Sequence, residues 1–292
     1  MKILFILNPK SGKKETHPEN MFSCIHHHFP NAEIHLTKGP GHATELAHHA
    51  AEGGVESVVA IGGDGTLNET AKGLLGTQTA LGVIPRGSGN GFARELGRML
   101  PFEEAVANLQ QARIISCDVG KANGELFLNL AGVGIEAEIA WKFMEHGKTG
   151  SRGMWPYFKI GARTLLSYRP PEILLTFEKN TLKTSPLTLV FANGKQYGSN
   201  FKIAPGASLS DGWLDMVSVE DAPKWKLALA MPSFFTDKWR PFGVTHTQQV
   251  KRVLIQKPGE ITYHIDGEPR RTSDRLEICI EEKALKVLFP EK

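Results

Sequence analysis

The residues with the strongest chemical signature form one run, Gly62-Gly63-Asp64-Gly65-Thr66-Leu67-Asn68-Glu69, placed directly after the apolar stretch Ser57-Val58-Val59-Ala60-Ile61. That apolar stretch reads as a buried strand. The three glycines tolerate positive φ and leave no Cβ in the way, so main-chain N–H groups can close on anionic oxygens such as those of a nucleotide phosphate. A helix is expected behind them. Leu67, Thr70, Ala71, Leu74 and Leu75 recur at helical spacing, and Thr66 with Glu69 has the S/T-x-x-E spacing of a capping box. The start of that helix points further unpaired N–H groups at the same place. Asp64 is poorly suited to touching phosphate directly, because two anions repel. It makes sense beside a metal ion or as acceptor of a substrate proton. A plain βα turn whose glycines serve only tightness reads the same way.

Two other loops belong with this one. The strand at 2–7 runs into Asn8-Pro9-Lys10-Ser11-Gly12-Lys13-Lys14, and the strand at 80–85 into Arg86-Gly87-Ser88-Gly89-Asn90-Gly91, which opens a helix containing Phe92, Ala93 and Leu96. Between the first two loops come a helix ending near Phe29, a strand at 32–37 and a helix at 41–52, giving a βαβαβ rhythm. In a parallel sheet such loops emerge together at the carboxyl edge, so three segments would converge on one nucleotide. Other phosphate motifs are excluded. Gly147-Lys148-Thr149 would need a glycine where Lys142 stands, and G-x-G-x-x-G is broken by Asn68 and Phe92. The histidines at 26–28 and 48–49 read as surface residues.

Those elements sit in a chain of 292 residues, 41% hydrophobic and 22% charged, which suits two domains. A net charge of +3 fits anionic substrates or an anionic membrane surface, and no basic block suggests nucleic acid. Cys24, Cys117 and Cys279 form no C-x-x-C pair, which fits a reducing cytoplasm. The apolar start at 1–7 is too short for a signal core and no apolar run matches a membrane span, so membrane contact is expected to be peripheral.

From about Asp118 the pattern shifts to short apolar runs with turn signals. Strands are expected at 126–130, 173–177, 187–192, 201–204, 213–219, 250–257, 261–266, 276–280 and 285–289, with helices at 136–145, 156–167 and 224–231. This spacing predicts a mainly antiparallel sandwich or barrel. Carboxylates stand at strand ends or turns in Cys117-Asp118-Val119-Gly120, Ser208-Leu209-Ser210-Asp211-Gly212-Trp213 and His264-Ile265-Asp266-Gly267-Glu268. Asp-Gly is a common hairpin turn, although Asp266 and Glu268 flanking one glycine could also hold a metal or share a proton. All five tryptophans lie in this half, and two basic aromatic stretches, 152–159 and 224–242, have a composition that suits a bilayer headgroup boundary. Core packing beside exposed lysines is the other reading.

The ordered set Asn8-Pro9-Lys10-Ser11-Gly12, Gly62-Gly63-Asp64-Gly65-Thr66-Leu67-Asn68-Glu69, Pro85-Arg86-Gly87-Ser88-Gly89-Asn90 and Asp266-Gly267-Glu268 resembles the lipid kinases with a diacylglycerol kinase catalytic domain, a family that includes sphingosine and ceramide kinases. The resemblance covers essentially the whole chain. It implies an amino-terminal α/β domain like that of NAD kinase and phosphofructokinase at 1–120, with 285–292 packing back on it, and a carboxy-terminal antiparallel β-sandwich at 121–284 that takes the lipid. ATP and Mg²⁺ would lie in the cleft between them. Carried over by motif, ATP contacts fall on Asn8, Pro9, Lys10, Ser11, Gly12, Thr37, Gly62, Gly63, Gly65, Thr66, Leu67, Asn68, Glu69, Gly87, Ser88 and Asn90. Glu268 matches the family's proton acceptor, with Asp64, Asp118 and Asp266 around it. A structural Mg²⁺ would be held by the Asp211 side chain and the Ser208 and Trp213 carbonyls. The chain departs from the bacterial diacylglycerol kinases at 87–91, where their usual form is G-T-x-N-D; Gly91 removes a carboxylate, and G-S-G-N looks more like the sphingosine and ceramide kinases.

The expectation is therefore transfer of the ATP γ-phosphate to a hydroxyl of a diacylglycerol-like lipid, at the inner face of the cytoplasmic membrane, by a peripheral protein acting alone or as a homodimer. A sphingoid-base or ceramide acceptor is the alternative. NAD kinase shares G-G-D-G-T, but no later N-E-x-D element follows. A non-catalytic lipid- or nucleotide-binding regulator is the alternative of another class.

Overall fold

Residues 2–12, 18–87, 89–97, 99–146, 154–178, 180–197, 201–235 and 243–290 are described by the computed structural model, with main chain alone at 154–158, 231 and 290. The chain divides into two units, 1–119 with 282–292, and 120–281.

The first unit alternates strand and helix: β1 (Ile3–Leu7), α1 (Pro18–His28), β2 (Glu33–Leu36), α2 (His42–Glu52), β3 (Ser57–Gly62), α3 (Asp64–Leu74), β4 (Ala80–Pro85), α4 (Gly91–Glu95) and α5 (Phe102–Asn108), before β5 (Ala112–Ala122) begins. Strands β2, β1, β3 and β4 are neighbours in that order and parallel, and the chain's last strand lies beside β4 through Val287 and Leu81. Every residue of β1 and β3 is buried, as parallel strands covered on both faces require. Met21 and Ile25, one turn apart on α1, pack with Phe5, Leu7, Val59, Ile61 and Ile84. On the other helix pair, Gly73 lets α3 approach α2 closely, since a Cβ there would lie 2.4 Å from the Thr44 carbonyl oxygen.

Register matters most for the site. Leu7 pairs with both Leu36 and Ile61, and Ile61 pairs with Ile84, so β1 to β4 end in one row. The loops that follow them start side by side.

The second unit is antiparallel. Its six-stranded sheet has the order β12-β11-β10-β7-β14-β15, from β7 (Leu130–Gly134), β10 (Thr188–Ala192), β11 (Leu214–Val219), β12 (Thr245–Val250), β14 (Ile261–Ile265) and β15 (Glu268–Thr272). Opposite it lie β8 (Ile173–Phe177), β9 (Asn180–Thr184), β13 (Arg252–Gln256) and the first half of β16 (Arg275–Pro290), with β6 (Glu125–Phe127) pairing the end of β5. One core joins the two layers, made by Ala131, Leu189, Phe191, Met216, Tyr263 and Ile265 from one sheet and Leu175, Val253, Ile255, Leu276 and Ile278 from the other. The helices are α6 (Ile135–His146), α7 (Met154–Ser167) and α8 (Lys224–Ala230).

Several local expectations are corrected. The capping box is absent: α3 begins at Asp64 with Gly63 as an extended N-cap that makes no side-chain cap bond. Thr66 instead accepts from Asn8 Nδ2 at 2.9 Å, and Glu69 accepts the Ala43 N–H of α2 at 3.3 Å. Residues 201–204 contribute only an isolated bridge between Lys202 and Gln196 rather than a strand. The strand expected over 250–257 is the shorter β13, preceded across Lys251 by β12, which was not expected, while the two expected at 276–280 and 285–289 are one strand. That strand is bent where Lys283 takes φ 53, and the Asp118 carboxylate fixes the bend by accepting the Lys283 N–H at 2.7 Å.

Candidate functional site

In the first unit the sequence-predicted loops gather at the carboxyl row of the sheet. Asn8 donates from its main-chain N–H to the Ile61 carbonyl at 3.0 Å, and its side chain accepts the Lys10 N–H at 2.9 Å, which curls the first loop into an Asx turn. The loop is tightened by Ser11, whose hydroxyl donates to the Asn8 carbonyl, and by Gly12 at φ 85. Thr37 lies at the same edge, its N–H donating to the Leu7 carbonyl at 2.9 Å.

The two glycine loops are packed against one another. A Cβ on Gly87 would stand 2.8 Å from the Gly63 Cα and 2.8 Å from Asn90 Oδ1, and one on Gly89 would stand 2.8 Å from Asp64 Oδ2. A Cβ at Gly87 would displace main chain, and one at Gly89 would displace the Asp64 carboxylate. Asn90, in the left-handed conformation at φ 53, closes a ring with Gly87: it accepts the Gly87 N–H at 3.0 Å and donates to the Gly87 carbonyl at 2.7 Å. Asp64 then accepts the N–H groups of Asn90 and Gly91 at 2.8 and 3.0 Å. A carboxylate between two main-chain donors at a helix start is a charge-assisted clamp. Gly65 is exposed at the first turn of α3, while the Leu67 side chain is buried and its N–H already donates to the Gly63 carbonyl. Ser88 lies outside the described residues.

Two cations at this edge were not singled out from sequence. Arg86 donates its N–H to the Gly62 carbonyl and lays its guanidinium beside Gly12, where a Cβ would be 2.8 Å from Nε; burial lowers its pKa. Arg94 Nε donates to the Gly89 carbonyl at 3.2 Å. Their signal was positional, an arginine opening and another closing the second glycine segment.

In the second unit, Asp266 and Gly267 form the two-residue turn joining β14 to β15, with φ 48 and 86. Those angles are those of a type I′ hairpin turn. The Asp266 carboxylate accepts three N–H groups, from Leu128 at 2.9 Å, Asn129 at 2.9 Å and Leu130 at 3.0 Å, so it anchors the segment that leads into β7. Glu268 has different partners. Its side chain is 60% exposed and receives Arg270 at 3.0 Å, while the same guanidinium binds Glu125 at 3.1 Å. Burial opposes the charge on Arg270, but the bonds to Glu268 and Glu125 outweigh it and raise the pKa. Asp118 is buried on β5 and serves the Lys283 bend.

The 208–213 loop is closed by Asp211, which accepts the Trp213 N–H at 3.0 Å and lies 3.4 Å from Gln249 Nε2. Ser208 accepts the Ser210 N–H at 3.4 Å. Nearby Asp215 has a raised pKa, from burial and from the Asp211 charge. Among the described residues no group of three or more His, Cys, Asp or Glu side chains is gathered as a metal site, and no helix is long and apolar enough to cross a membrane.

An α/β unit with paired glycine loops at its sheet edge, joined to an antiparallel unit bearing an Asp-Gly-Glu hairpin, defines a two-domain class that comparison then specifies. Residues 2–122 match the diacylglycerol kinase catalytic domain, and residues 131–289 the YegS C-terminal NAD kinase beta sandwich-like domain. The chain belongs to the diacylglycerol kinase catalytic-domain family, with a YegS-type carboxy-terminal half. Diacylglycerol kinase of Bacillus subtilis (strain 168) is 31% identical over 224 residues, covering 74% of this chain and 73% of that one. A Chromohalobacter salexigens protein named "Probable lipid kinase YegS-like" is 34% identical over 242 residues, 81% of this chain and 77% of its own. The crystal structure of a diacylglycerol kinase from Bacillus anthracis str. Sterne superposes with a TM-score of 0.74 at 22% identity, over 99% of this chain and 96% of that one, which shows a common fold.

Proposed function

We propose that the protein is an ATP- and Mg²⁺-dependent lipid kinase that moves the γ-phosphate to a hydroxyl of a diacylglycerol-like lipid. The observation that carries this reading is the pair of glycine loops held together by Asp64 at the carboxyl row of the parallel sheet. The N–H groups of Gly87, Asn90 and Gly91 are taken up by Asn90 and Asp64, so the donors that suit a triphosphate are those of the first turn of α3, where Gly65 puts no side chain in front, and Arg86 and Arg94 add positive charge. Phosphoryl transfer needs little beyond positioning and charge stabilisation, which is what such an edge provides. Family membership supports a nucleotide unit of the NAD kinase and phosphofructokinase type.

The carboxylates then divide by role. Asp64 and Asp266 hold main chain with both oxygens, and Asp118 holds the Lys283 bend; all three are positioning residues in this reading. Glu268 is exposed and held only at its rim by Arg270, so it is the carboxylate best placed to take the hydroxyl proton. Mg²⁺ on the nucleotide would offset phosphate charge. For a structural ion, the donor set of the Asp211 carboxylate with the Ser208 and Trp213 carbonyls is all oxygen, the kind a hard cation takes. The mutual repulsion of Asp211 and Asp215 fits a cation there.

Membrane contact in this reading falls on α8 and the turn after it. Trp225 and Leu229, one helical turn apart, are 62% and 59% exposed, Phe235 is 48% exposed, and Lys226 lies over the Trp225 ring. Of the two basic aromatic stretches, 152–153 and 236–242 lie outside the described residues, and 154–158 are described in main chain alone. The test is incubation with γ-labelled ATP, Mg²⁺ and lipid micelles: label in a lipid hydroxyl supports the reading, and ATP binding without label in any lipid supports a binding protein instead.

A further inference from the structure

A cavity of about 240 Å³ opens at the end of the second unit where β7 and β13 finish and β8 and β14 begin. Its apolar wall is made by Val133 and Ile261 from the six-stranded sheet and by Ile173 and Ile255 from the layer opposite, each the terminal core residue of its strand. The core between the layers is therefore open to a ligand at this end. The hairpin that carries Glu268 is elsewhere. Ile261 begins β14 and Ile265 ends it before the Asp266-Gly267 turn, so the length of that strand, about 13 Å, separates the cavity wall from the turn.

The polar side chains around this wall are donors without acceptors. From their side chains, Arg169 and Lys257 donate only to the next main-chain carbonyl, of Tyr168 at 3.3 Å and of Pro258 at 3.5 Å, and neither has a carboxylate partner among the described residues. The Tyr168 and Thr262 hydroxyls, which line the same cavity, make no hydrogen bond among the described residues either. Burial, with the charges of Glu136 and Glu138, pushes the Tyr168 hydroxyl up to about 12, so it keeps its proton and is able to donate. The two acids of the lining are already matched by cations outside it, Glu138 by Lys142 at 3.3 Å and Glu260 by Arg271 at 3.0 Å. The uncommitted charge of the cavity is positive.

Two cations and two hydroxyls beside four aliphatic side chains suit a ligand with an anionic head and an apolar body. Inorganic phosphate would leave the aliphatic wall uncovered. A neutral lipid would cover it but leave the cations unmatched.

We infer that this cavity is a binding site for a single-chain amphipathic anion, a carboxylate or a phosphate monoester on one short apolar chain. Arg169, Lys257, Tyr168 and Thr262 hold the head, and Val133, Ile173, Ile255 and Ile261 cover the chain. The site is built within the second unit alone, goes beyond the transfer reaction and does not depend on it.

The test is calorimetric titration of the full chain with decanoate, decyl phosphate and decanol, each kept below its aggregation concentration. At least one anion is expected to bind once per chain and about tenfold or more tighter than decanol. Whichever anion binds tighter identifies the head as carboxylate or phosphate. The double variant Arg169→Gln, Lys257→Gln is expected to weaken that binding about tenfold or more. Thr262→Trp, which fills the cavity from its wall, is expected to weaken it as much. Two variants of different kinds keep the test open should one fail to fold, and the comparison of anions with decanol needs neither. Decanol bound as tightly as both anions, no anion bound by wild type, or anion binding unchanged in a folded variant overturns the inference. These readouts involve no ATP, so they stand whether or not any lipid takes label.

Discussion

Asp64 accepts the main-chain N–H of Asn90 at 2.8 Å, and in doing so binds the first glycine loop to the second. The bond with Gly91 at 3.0 Å completes the clamp. Asp64→Asn would turn an amide NH₂ toward one of two N–H donors, so one bond is lost and the segment at 87–91 loosens. We expect kcat/KM for ATP to fall roughly a hundredfold, with KM for ATP raised. Stability should drop by about 1–3 kcal/mol. Steady-state kinetics at varied ATP check this: a fall in kcat alone would assign Asp64 to proton transfer instead.

Asp266 and Glu268 should separate folding from turnover although one glycine lies between them. Asp266→Asn weakens three bonds to the 128–130 main chain and is expected to cost about 1.5–3 kcal/mol of stability. Glu268→Gln alters an exposed ion pair and should change stability by less than about 1 kcal/mol while lowering turnover by roughly a hundredfold. Thermal melts beside initial rates distinguish the two.

The 208–213 loop predicts a metal and pH effect of definite sign. Burial and the Asp211 charge raise the Asp215 pKa above its value in the unfolded chain, so the native state holds a proton the unfolded state has released. Stability from this group is present below the unfolded pKa and declines as pH rises toward the folded one. A bound cation opposes that decline. Added Mg²⁺ should therefore raise Tm at pH 7 by about 2–4 °C, have little effect near pH 4, and do nothing for Asp211→Asn. Melts with and without Mg²⁺ at both pH values provide the check.

Trp225 and Leu229 share a face of α8, with Lys226 over the indole. Trp225→Ala should weaken sedimentation with anionic vesicles about tenfold or more while leaving the melt nearly unchanged, because the side chain is mostly exposed. Equal partitioning of both proteins would move the membrane face elsewhere.

How much of this was legible in the sequence depended on whether the signal was local. The alternation through β4 and its glycine loops could be read because buried parallel strands are continuous apolar runs and each loop carries its own glycines. The 7-residue α5, Phe102–Asn108, and the exposed β9, Asn180–Thr184, carry little periodicity and were missed. The capping box failed because Thr66 and Glu69 found partners 58 and 26 residues away, which no local spacing encodes. Asp266 had the right type and place, but its three main-chain donors come from the segment entering β7, more than 130 residues earlier. Sequence alone could not divide Asp266 from Glu268. Arg169 and Lys257 were invisible for the same reason, since only the fold brings the segments before β8 and after β13 to one cavity.

The central claim is phosphate transfer to a lipid hydroxyl using this glycine-loop edge. Its most direct test is purified protein with γ-labelled ATP, Mg²⁺ and a mixed-micelle panel of diacylglycerol, monoacylglycerol, sphingoid base, ceramide and phosphatidylglycerol, run beside Asp64→Asn and Glu268→Gln. The account predicts label in a lipid with wild type and its near loss in both variants. Labelled lipid formed equally well by both folded variants, or no labelled lipid at all, would contradict it.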